Sequence, residues 1–165
     1  MGHKLPQCDP IKAAQRKATA ERRVGVGKQC ACGEARPEAL ISGSNPIMCA
    51  ACDRKRQGKT SLDNHHVAGK SNSSVTITVP VNDHRAILSV VQKDWSKETL
   101  ENPDASPFLA AAASIRGLAE TVTYLVSKLL WVAEMLEMAN SLFSQRLGSK
   151  WWQKTALKQF EPKGR

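Results

Sequence analysis

The sequence lacks the two features that direct proteins into or across membranes. No apolar run follows Met1, so we expect no signal peptide. A membrane span needs about 18 or more consecutive apolar residues, whereas the apolar stretches here are short, and one of them, LLWVA, lies between Lys128 and Glu134. These absences predict a cytoplasmic protein without a membrane partner.

Acidic residues are also scarce, with 15 Asp and Glu against 24 Lys and Arg, a formal charge of +9. Residues 1–29 hold seven basic and two acidic residues. Good helix formers over residues 11–24 predict a helix with a thin apolar stripe of Ile11, Ala14 and Ala18. Such a basic arm suits a polyanion, usually nucleic acid, and a solvated helix is the alternative.

Four of the five cysteines form two short knuckles, Cys30-Ala-Cys32 and Cys49-Ala-Ala-Cys52. Each knuckle bends tightly enough for both thiolates to face one metal, and two knuckles complete a tetrahedron of sulfurs around Zn²⁺. We therefore predict a structural zinc ion. A disulfide pair is the alternative, which requires an oxidising compartment. Cys8 has no partner at a suitable spacing and is interpreted as a bystander.

Residues 63–85 hold three of the four histidines. The pattern predicts a strand ending at His65 and His66, a loop, a β-branched strand over residues 75–79, and a helix with His84 in its first turn. Asn82 or Asp83 is the predicted cap of that helix. Imidazole is the commonest metal ligand and titrates nearest neutral pH. The clustering indicates a reaction site, and packing or a second structural metal is the alternative.

Two cysteine knuckles, a His-His pair, a Gly-basic-x-Asn loop (GKSN) and a helix-borne histidine together resemble the HNH endonucleases over about residues 30–90. The resemblance implies a ββα-metal core that hydrolyses DNA, with RNA left open as a substrate. It implies that His65 and His84 bind Mg²⁺ or another divalent cation and that His66 is the general base. It also implies that Asn72 holds the loop and orients the base, a role for which Asn82 is the alternative.

A dense basic run and two further residues beside the histidines are the predicted phosphate contacts. They are Arg54, Lys55, Arg56, Lys70 and Arg85. The Cys-x-x-Cys that usually precedes the last histidine of the family is replaced by VPVND at residues 79–83. This replacement favours the alternative of a catalytically inactive, zinc-dependent nucleic-acid-binding or regulatory protein.

The C-terminal part carries a heptad pattern of apolar residues spaced three and four apart. They are Ile115, Leu118, Val122, Leu125, Leu129, Val132, Leu136, Ala139 and Phe143. This seam predicts a long helix, ended by Gly148, that packs on another helix of this chain or of a second copy. A homo-oligomer through residues 115–143, or a helix-mediated assembly protein, is therefore a further interpretation. Trp151 and Trp152 either stack on bases or anchor the tail, and we favour the anchor.

The predicted fold class is α+β. It combines a small zinc-stapled module and a ββα-metal core, followed by a long C-terminal α-helical segment. The predicted divisions are a basic N-terminal arm over residues 1–29, zinc knuckles and HNH-like core over 30–91, a linker over 92–107 and a helical region over 108–165.

Overall fold

The computed structural model describes residues 10–160, so His3 and Cys8 lie outside the described residues. The fold is a mixture of helices and one small two-stranded sheet, in agreement with the α+β prediction. The elements are α1 (Pro10–Val24), α2 (Ala50–Arg56), β1 (Leu62–His66), β2 (Thr76–Pro80), α3 (Val81–Asp83), a π-helical turn (His84–Leu88), α4 (Ser89–Gln92), α5 (Lys97–Glu101) and α6 (Pro107–Leu147), with 3-10 turns at Trp151–Lys154 and Ala156–Phe160.

The predicted helix near the N-terminus is confirmed as α1, but its predicted apolar stripe is wrong. Ile11 is 68% exposed, whereas Ala20 and Val24 are buried. Val24 packs with Leu40 and the buried knuckle cysteines in a small core. Spacing alone does not show where a helix is anchored, and α1 is anchored at its C-terminal end, where the chain enters the first knuckle.

The two predicted strands are confirmed as an antiparallel hairpin that runs directly into a helix. β1 pairs with β2 from Leu62↔Pro80 to His66↔Thr76. Pro80 occupies the N-cap of α3, and no side chain caps that helix. Asn82 and Asp83 lie inside α3, so the predicted capping role of either residue is wrong. We call α3, the π-helical turn and α4 together the helical segment 81–92.

The long helix packs on the hairpin region through small residues rather than through the heptad seam. Ala113, Gly117 and Thr121 are buried. A Cβ at Gly117 would lie 1.8 Å from the carbonyl oxygen of Val67, so only glycine allows this approach. The seam residue Ile115 is 72% exposed. The seam therefore does not pack on another helix within the described part of the chain.

The chain divides into two compact units, one ending at Tyr124 and one beginning at Leu125. In the second unit, no residue from 125 to 160 is buried. Trp151 packs on Phe143 with 4.7 Å between ring centroids, and its Nε1 donates to Asn140 Oδ1 at 3.2 Å, so the predicted anchor is confirmed for this tryptophan. α6 ends at Leu147, directly before Gly148, whose φ is +92°. Among the described helices, none combines the length and the apolarity that crossing a bilayer requires.

Candidate functional site

The four predicted zinc ligands come together in one cluster. The sulfurs of Cys30, Cys32, Cys49 and Cys52 all lie within 4.8 Å of one another, and the Sγ atoms of Cys32 and Cys49 are 3.6 Å apart. In a tetrahedral zinc site with Zn–S bonds of about 2.3 Å, neighbouring sulfurs lie roughly 3.8 Å apart. The sulfurs are therefore close enough together to hold one zinc ion.

Local hydrogen bonds explain why the knuckles adopt this shape. In the first, the backbone N–H of Gly33 donates to the carbonyl of Cys30 at 2.9 Å. In the second, Cys49 is the N-cap of α2, and its sulfur accepts from the backbone N–H of Cys52 at 3.4 Å. A hydrogen bond from the Cys32 backbone lowers the pKa of the Cys30 thiol to about 6. Zinc binds thiolates, so the lowered pKa favours Cys30 as a ligand. The neighbouring thiols raise the pKa of Cys52 to about 12, so a bound metal would have to promote ionisation of that thiol.

The structure also brings two of the three histidines together. The rings of His65 on β1 and His84 in the π-helical turn lie 5.3 Å apart, centroid to centroid. A π-helical turn inside a helix is rare and is frequent at functional sites. Asp63 lies two residues before His65, so strand alternation puts both side chains on the same face of β1. Its Oδ2 lies 2.8 Å from His84 Nδ1.

Asp63 connects the histidines to the basic helix α2. The guanidinium of Arg54 lies 3.3 Å from the Asp63 carboxylate and also donates to the carbonyl of Leu62 at 2.7 Å. Burial opposes ionisation of Asp63, but the hydrogen bond with His84 and the charge of Arg54 outweigh it and lower its pKa. A carboxylate on Nδ1 fixes the tautomer of a histidine and directs Nε2 outward, as behind many metal-bound imidazoles.

His65 is the most enclosed of the three histidines. Its side chain is 2% exposed, and its Nδ1 has no hydrogen-bond partner. Burial, with the nearby His84 and His66, lowers its pKa to about 4, so the ring is neutral at physiological pH. The amide of Gln92 lies 3.4 Å from His65 Nε2 and donates to the carbonyls of His66 and Val67 at 2.7 and 3.0 Å.

His66 is half-buried at the end of β1, and its Nδ1 is enclosed without a hydrogen-bond partner. Alternation along the strand puts Asn64 and His66 on the face opposite to Asp63 and His65. Within residues 10–160, the cysteine cluster is the one set of three or more His, Cys, Asp or Glu ligands close enough to share an ion. The histidines thus supply two neighbouring imidazoles rather than a closed ligand set.

The two candidate asparagines hold the surrounding backbone. Asn72 Nδ2 donates to the carbonyls of Ala68 and Thr99 at 3.1 and 2.8 Å, which attaches the loop after His66 to α5. Its orientation of the base stays a prediction. Asn82 accepts from the backbone N–H of Ala51 at 2.9 Å and so links α3 to the helix that begins at the second knuckle.

The five predicted phosphate contacts fall into two groups. Arg54 is held by Asp63, and Arg56 pairs with Asp53 at 2.7 Å. Lys55, Lys70 and Arg85 are exposed. Arg85 lies beside His84 at an open cleft of about 930 Å³, which also reaches Asp63 and Arg54.

Sequence reasoning missed Asp63 and Gln92. The signal for Asp63 was present, because an acidic residue two positions before a strand histidine shares its face. Gln92 gave no such signal, because it contacts residues 26 positions earlier in the chain. Comparisons of the chain with protein-family models, with curated proteins and with solved structures find no match.

Proposed function

We propose that this protein is a metal-dependent, HNH-like endonuclease that hydrolyses phosphodiester bonds of DNA. The observation that carries the proposal is the approach of His65 and His84 to 5.3 Å from segments that lie 19 positions apart in the sequence, on a hairpin followed at once by a helix. The Asp63 carboxylate is hydrogen-bonded to Nδ1 of His84, so Nε2 of that ring is the nitrogen that would bind an ion. The neutral state of His65 also suits a ligand.

Each residue has a role in the proposed reaction. A divalent ion such as Mg²⁺ bound by His65 and His84 would stabilise the charge that develops on the scissile phosphate. His66, which follows His65 at the end of β1 and lies on the opposite face of that strand, is the proposed general base for the attacking water. Asp63 holds the ring of His84, and Asn72 holds the loop that follows the histidine pair. Lys70 and Arg85 bind neighbouring phosphates.

The test is cleavage of supercoiled plasmid by the zinc-loaded protein with Mg²⁺ or Mn²⁺. Wild type is expected to nick or linearise the plasmid, and His66→Ala is expected to lose at least about 100-fold in rate, the lower range for a general base. Asn64→Ala is the matched control, because Asn64 lies on the same face of β1 as His66. Equal cleavage by His66→Ala and wild type, with circular dichroism unchanged, would remove His66 from the mechanism.

Binding of nucleic acid without cleavage is the second candidate function. The open ligand set favours it, because in the described chain no third His, Cys, Asp or Glu joins His65 and His84 within ligand distance. The same plasmid assay distinguishes the two functions. Retained DNA binding without cleavage in any divalent ion would establish this second function and end the first.

We also propose that α6 forms a homo-oligomer through its second-unit part, residues 125–147. Twelve large apolar side chains there are at least 40% exposed. They are Leu125, Val126, Leu129, Leu130, Trp131, Val132, Met135, Leu136, Met138, Leu142, Phe143 and Leu147. A half-exposed side chain of this size offers on the order of 50 Å² of apolar surface. The twelve are distributed around the helix and together offer roughly 600 Å², against the ~800 Å² that each partner buries in a standard interface.

A second copy is the occupant that fits, because an apolar seam with heptad spacing is complementary to itself. Light scattering coupled to gel filtration tests this. Wild type is expected to run as a dimer or larger, and Leu129→Glu/Leu136→Glu as a monomer, while Ser127→Glu/Ser141→Glu on the same helix keeps the wild-type mass. A monomeric wild type at micromolar concentration would overturn the proposal.

A further inference from the structure

An open cleft of about 930 Å³ connects the N-terminal helix to the histidine cluster. One wall is α1, and the other is formed by α2, β1 and the helical segment 81–92. Asp63 and His84 reach into this cleft, so whatever occupies it lies next to the proposed reaction site. The charged residues that line it are Lys12, Arg16, Arg23, Glu38, Asp53, Arg54, Asp63, Arg85, Lys93 and Asp94.

The cleft carries an excess of positive charge when the residues that form ion pairs are left out of the count. Arg16 pairs with Asp94, and Arg54 pairs with Asp63. The third acidic residue, Asp53, pairs with Arg56 outside the cleft. Within residues 10–160, three of the basic residues that line the cleft have no carboxylate at ion-pair distance. Of the acidic residues that line it, Glu38 likewise has no basic side chain at ion-pair distance in the described part of the chain. The three are Arg23, Arg85 and Lys93.

The basic residues of the cleft lie on facing elements. On α1, residues 12, 15, 16, 19, 20 and 23 line the cleft, which is the i, i+3, i+4 spacing of one helix face. At 1.5 Å per residue this face is roughly 16 Å long. A strand of duplex DNA rises about 3.4 Å per nucleotide, so the face has room for about five nucleotides. Arg85 and Lys93 lie across the cleft, beside and beyond His84.

We propose that this cleft binds the phosphate backbone of a nucleic-acid strand and leads it to the histidines, with Arg23, Lys93 and Arg85 as phosphate contacts. The inference rests on the proposed function for the identity of its ligand. In this proposal, α1 forms one wall of the substrate site and is not merely a solvated basic arm. Arg23 and Lys93 are then sequence-independent contacts that position the strand without reading bases.

Neighbouring residues of α1 supply a matched pair for the test. Arg22 and Arg23 are both exposed arginines of α1, but only Arg23 lines the cleft. Lys93 lines the cleft, whereas Lys97 is exposed on α5 and does not. The two double variants are Arg23→Gln/Lys93→Gln and Arg22→Gln/Lys97→Gln. Each removes two positive charges, so general electrostatic attraction falls equally in both.

Binding is measured by fluorescence anisotropy of a labelled 20-base-pair duplex at several salt concentrations. The protein is zinc-loaded, Mg²⁺ and Mn²⁺ are omitted, and a gel verifies that the probe stays intact. Each lost phosphate contact reduces the salt slope by about 0.9, or roughly eightfold in affinity at 0.1 M salt. The cleft variant is expected to lose about two contacts and the control variant none.

The outcomes separate this inference from the proposed function. Equal affinities of the two double variants would overturn the cleft as the binding site, even if wild type cuts plasmid. A wild type that does not bind the duplex would overturn it as well. Selective weakening of the cleft variant, with no cleavage by wild type in any divalent ion, would support the cleft and reject the nuclease.

Discussion

The part of the chain up to Tyr124 and the part after it differ in how many of their residues are buried and in the contacts that stabilise them. The first contains every buried residue from 10 to 160. It combines three small apolar clusters with a set of close cysteines and partly buried ion pairs. The second is a helix and two short turns whose side chains are all at least partly exposed. We therefore expect single substitutions to destabilise the first part and to leave the second almost unchanged.

A network of charged and polar side chains around the buried Asp83 connects separate segments of the first part. Arg36 donates to Glu34 at 2.6 Å and to Asp83 at 2.8 Å, and the hydroxyl of Tyr124 donates to Asp83 at 2.9 Å. The hydrogen bonds from Arg36 lower the pKa of Glu34. Burial and the contact with Asp83 raise the pKa of Tyr124 to about 12. This network fixes the helical segment that carries His84 against the first knuckle.

Zinc removal is expected to give the largest difference between the two parts. Structural zinc sites contribute on the order of 10 kcal/mol or more to folding, whereas the core around the knuckles contains four buried residues. A chelator should therefore abolish hydrogen-exchange protection over residues 30–56 while leaving residues 125–147 unchanged. Cys49→Ser should reproduce the loss, and Cys8→Ser is the matched control. Retained protection over the knuckles without zinc would show that burial alone is sufficient there.

Gly117→Ala is expected to have the next largest effect. Helix propensity alone predicts a stabilisation of about 1 kcal/mol. The new Cβ would instead lie 1.8 Å from the Val67 carbonyl oxygen, so α6 must move away from the hairpin region. We expect a loss of about 3 kcal/mol or more in the free energy of unfolding, measured by urea titration. In the second part, Ala133→Gly should cost only the propensity of about 1 kcal/mol, and a stabilised Gly117→Ala would contradict the observed packing.

Local patterns in the sequence predicted the features that depend on near neighbours. The cysteine spacing predicted the cluster, and the β-branched run predicted β2, because the knuckles and the strand both depend on contacts within a few residues. Asp83 was interpreted as a helix cap because Asp is common at that position. Its true partners, Arg36 and Tyr124, lie 47 and 41 positions away, and no local rule connects them.

The heptad seam predicted the long helix but not the face that this helix turns to the hairpin region. Its spacing correctly indicated a long helix, but spacing does not state which face meets the rest of the chain. Gly117 and Thr121 give a weaker apolar signal than Leu118 and Val122, yet close approach of the helix requires small residues. The most apolar face therefore remained exposed, which the homo-oligomer proposal explains.

Removal of one hydrogen bond in each part gives a finer comparison. Tyr124→Phe deletes the donor to a buried carboxylate, and bonds to charged groups contribute about 1.5–3 kcal/mol. Trp151→Phe deletes the donor to Asn140 on the exposed face of the second part, where we expect less than about 0.5 kcal/mol. Urea titration of both variants measures the two values. Equal losses would indicate that the second part is as ordered as the first.

Glu120→Gln is expected to have the smallest effect, and its sign depends on pH. Trp95 Nε1 donates to Glu120 Oε1 at 2.8 Å, and burial raises the pKa of this carboxyl despite the opposing charge of Arg116. The nearby Asp94 raises it further. A carboxyl whose pKa is higher in the folded than in the unfolded protein binds more protons when folded. The stability it contributes is therefore present below the ordinary glutamate pKa of about 4.3 and lost as the pH rises through the folded value.

Glutamine keeps the acceptor for Trp95 but has no charge to bury. At pH 7 we expect Glu120→Gln to be as stable as wild type or slightly more so, within about 0.5 kcal/mol. Below pH 4 the protonated wild type should regain that difference, so urea titrations of the two proteins should converge on acidification. A variant that is less stable than wild type at pH 7 would mean that the charge of Glu120 is needed by Arg116. In that case, a surface ion pair as well as buried contacts would hold the first part of the chain together.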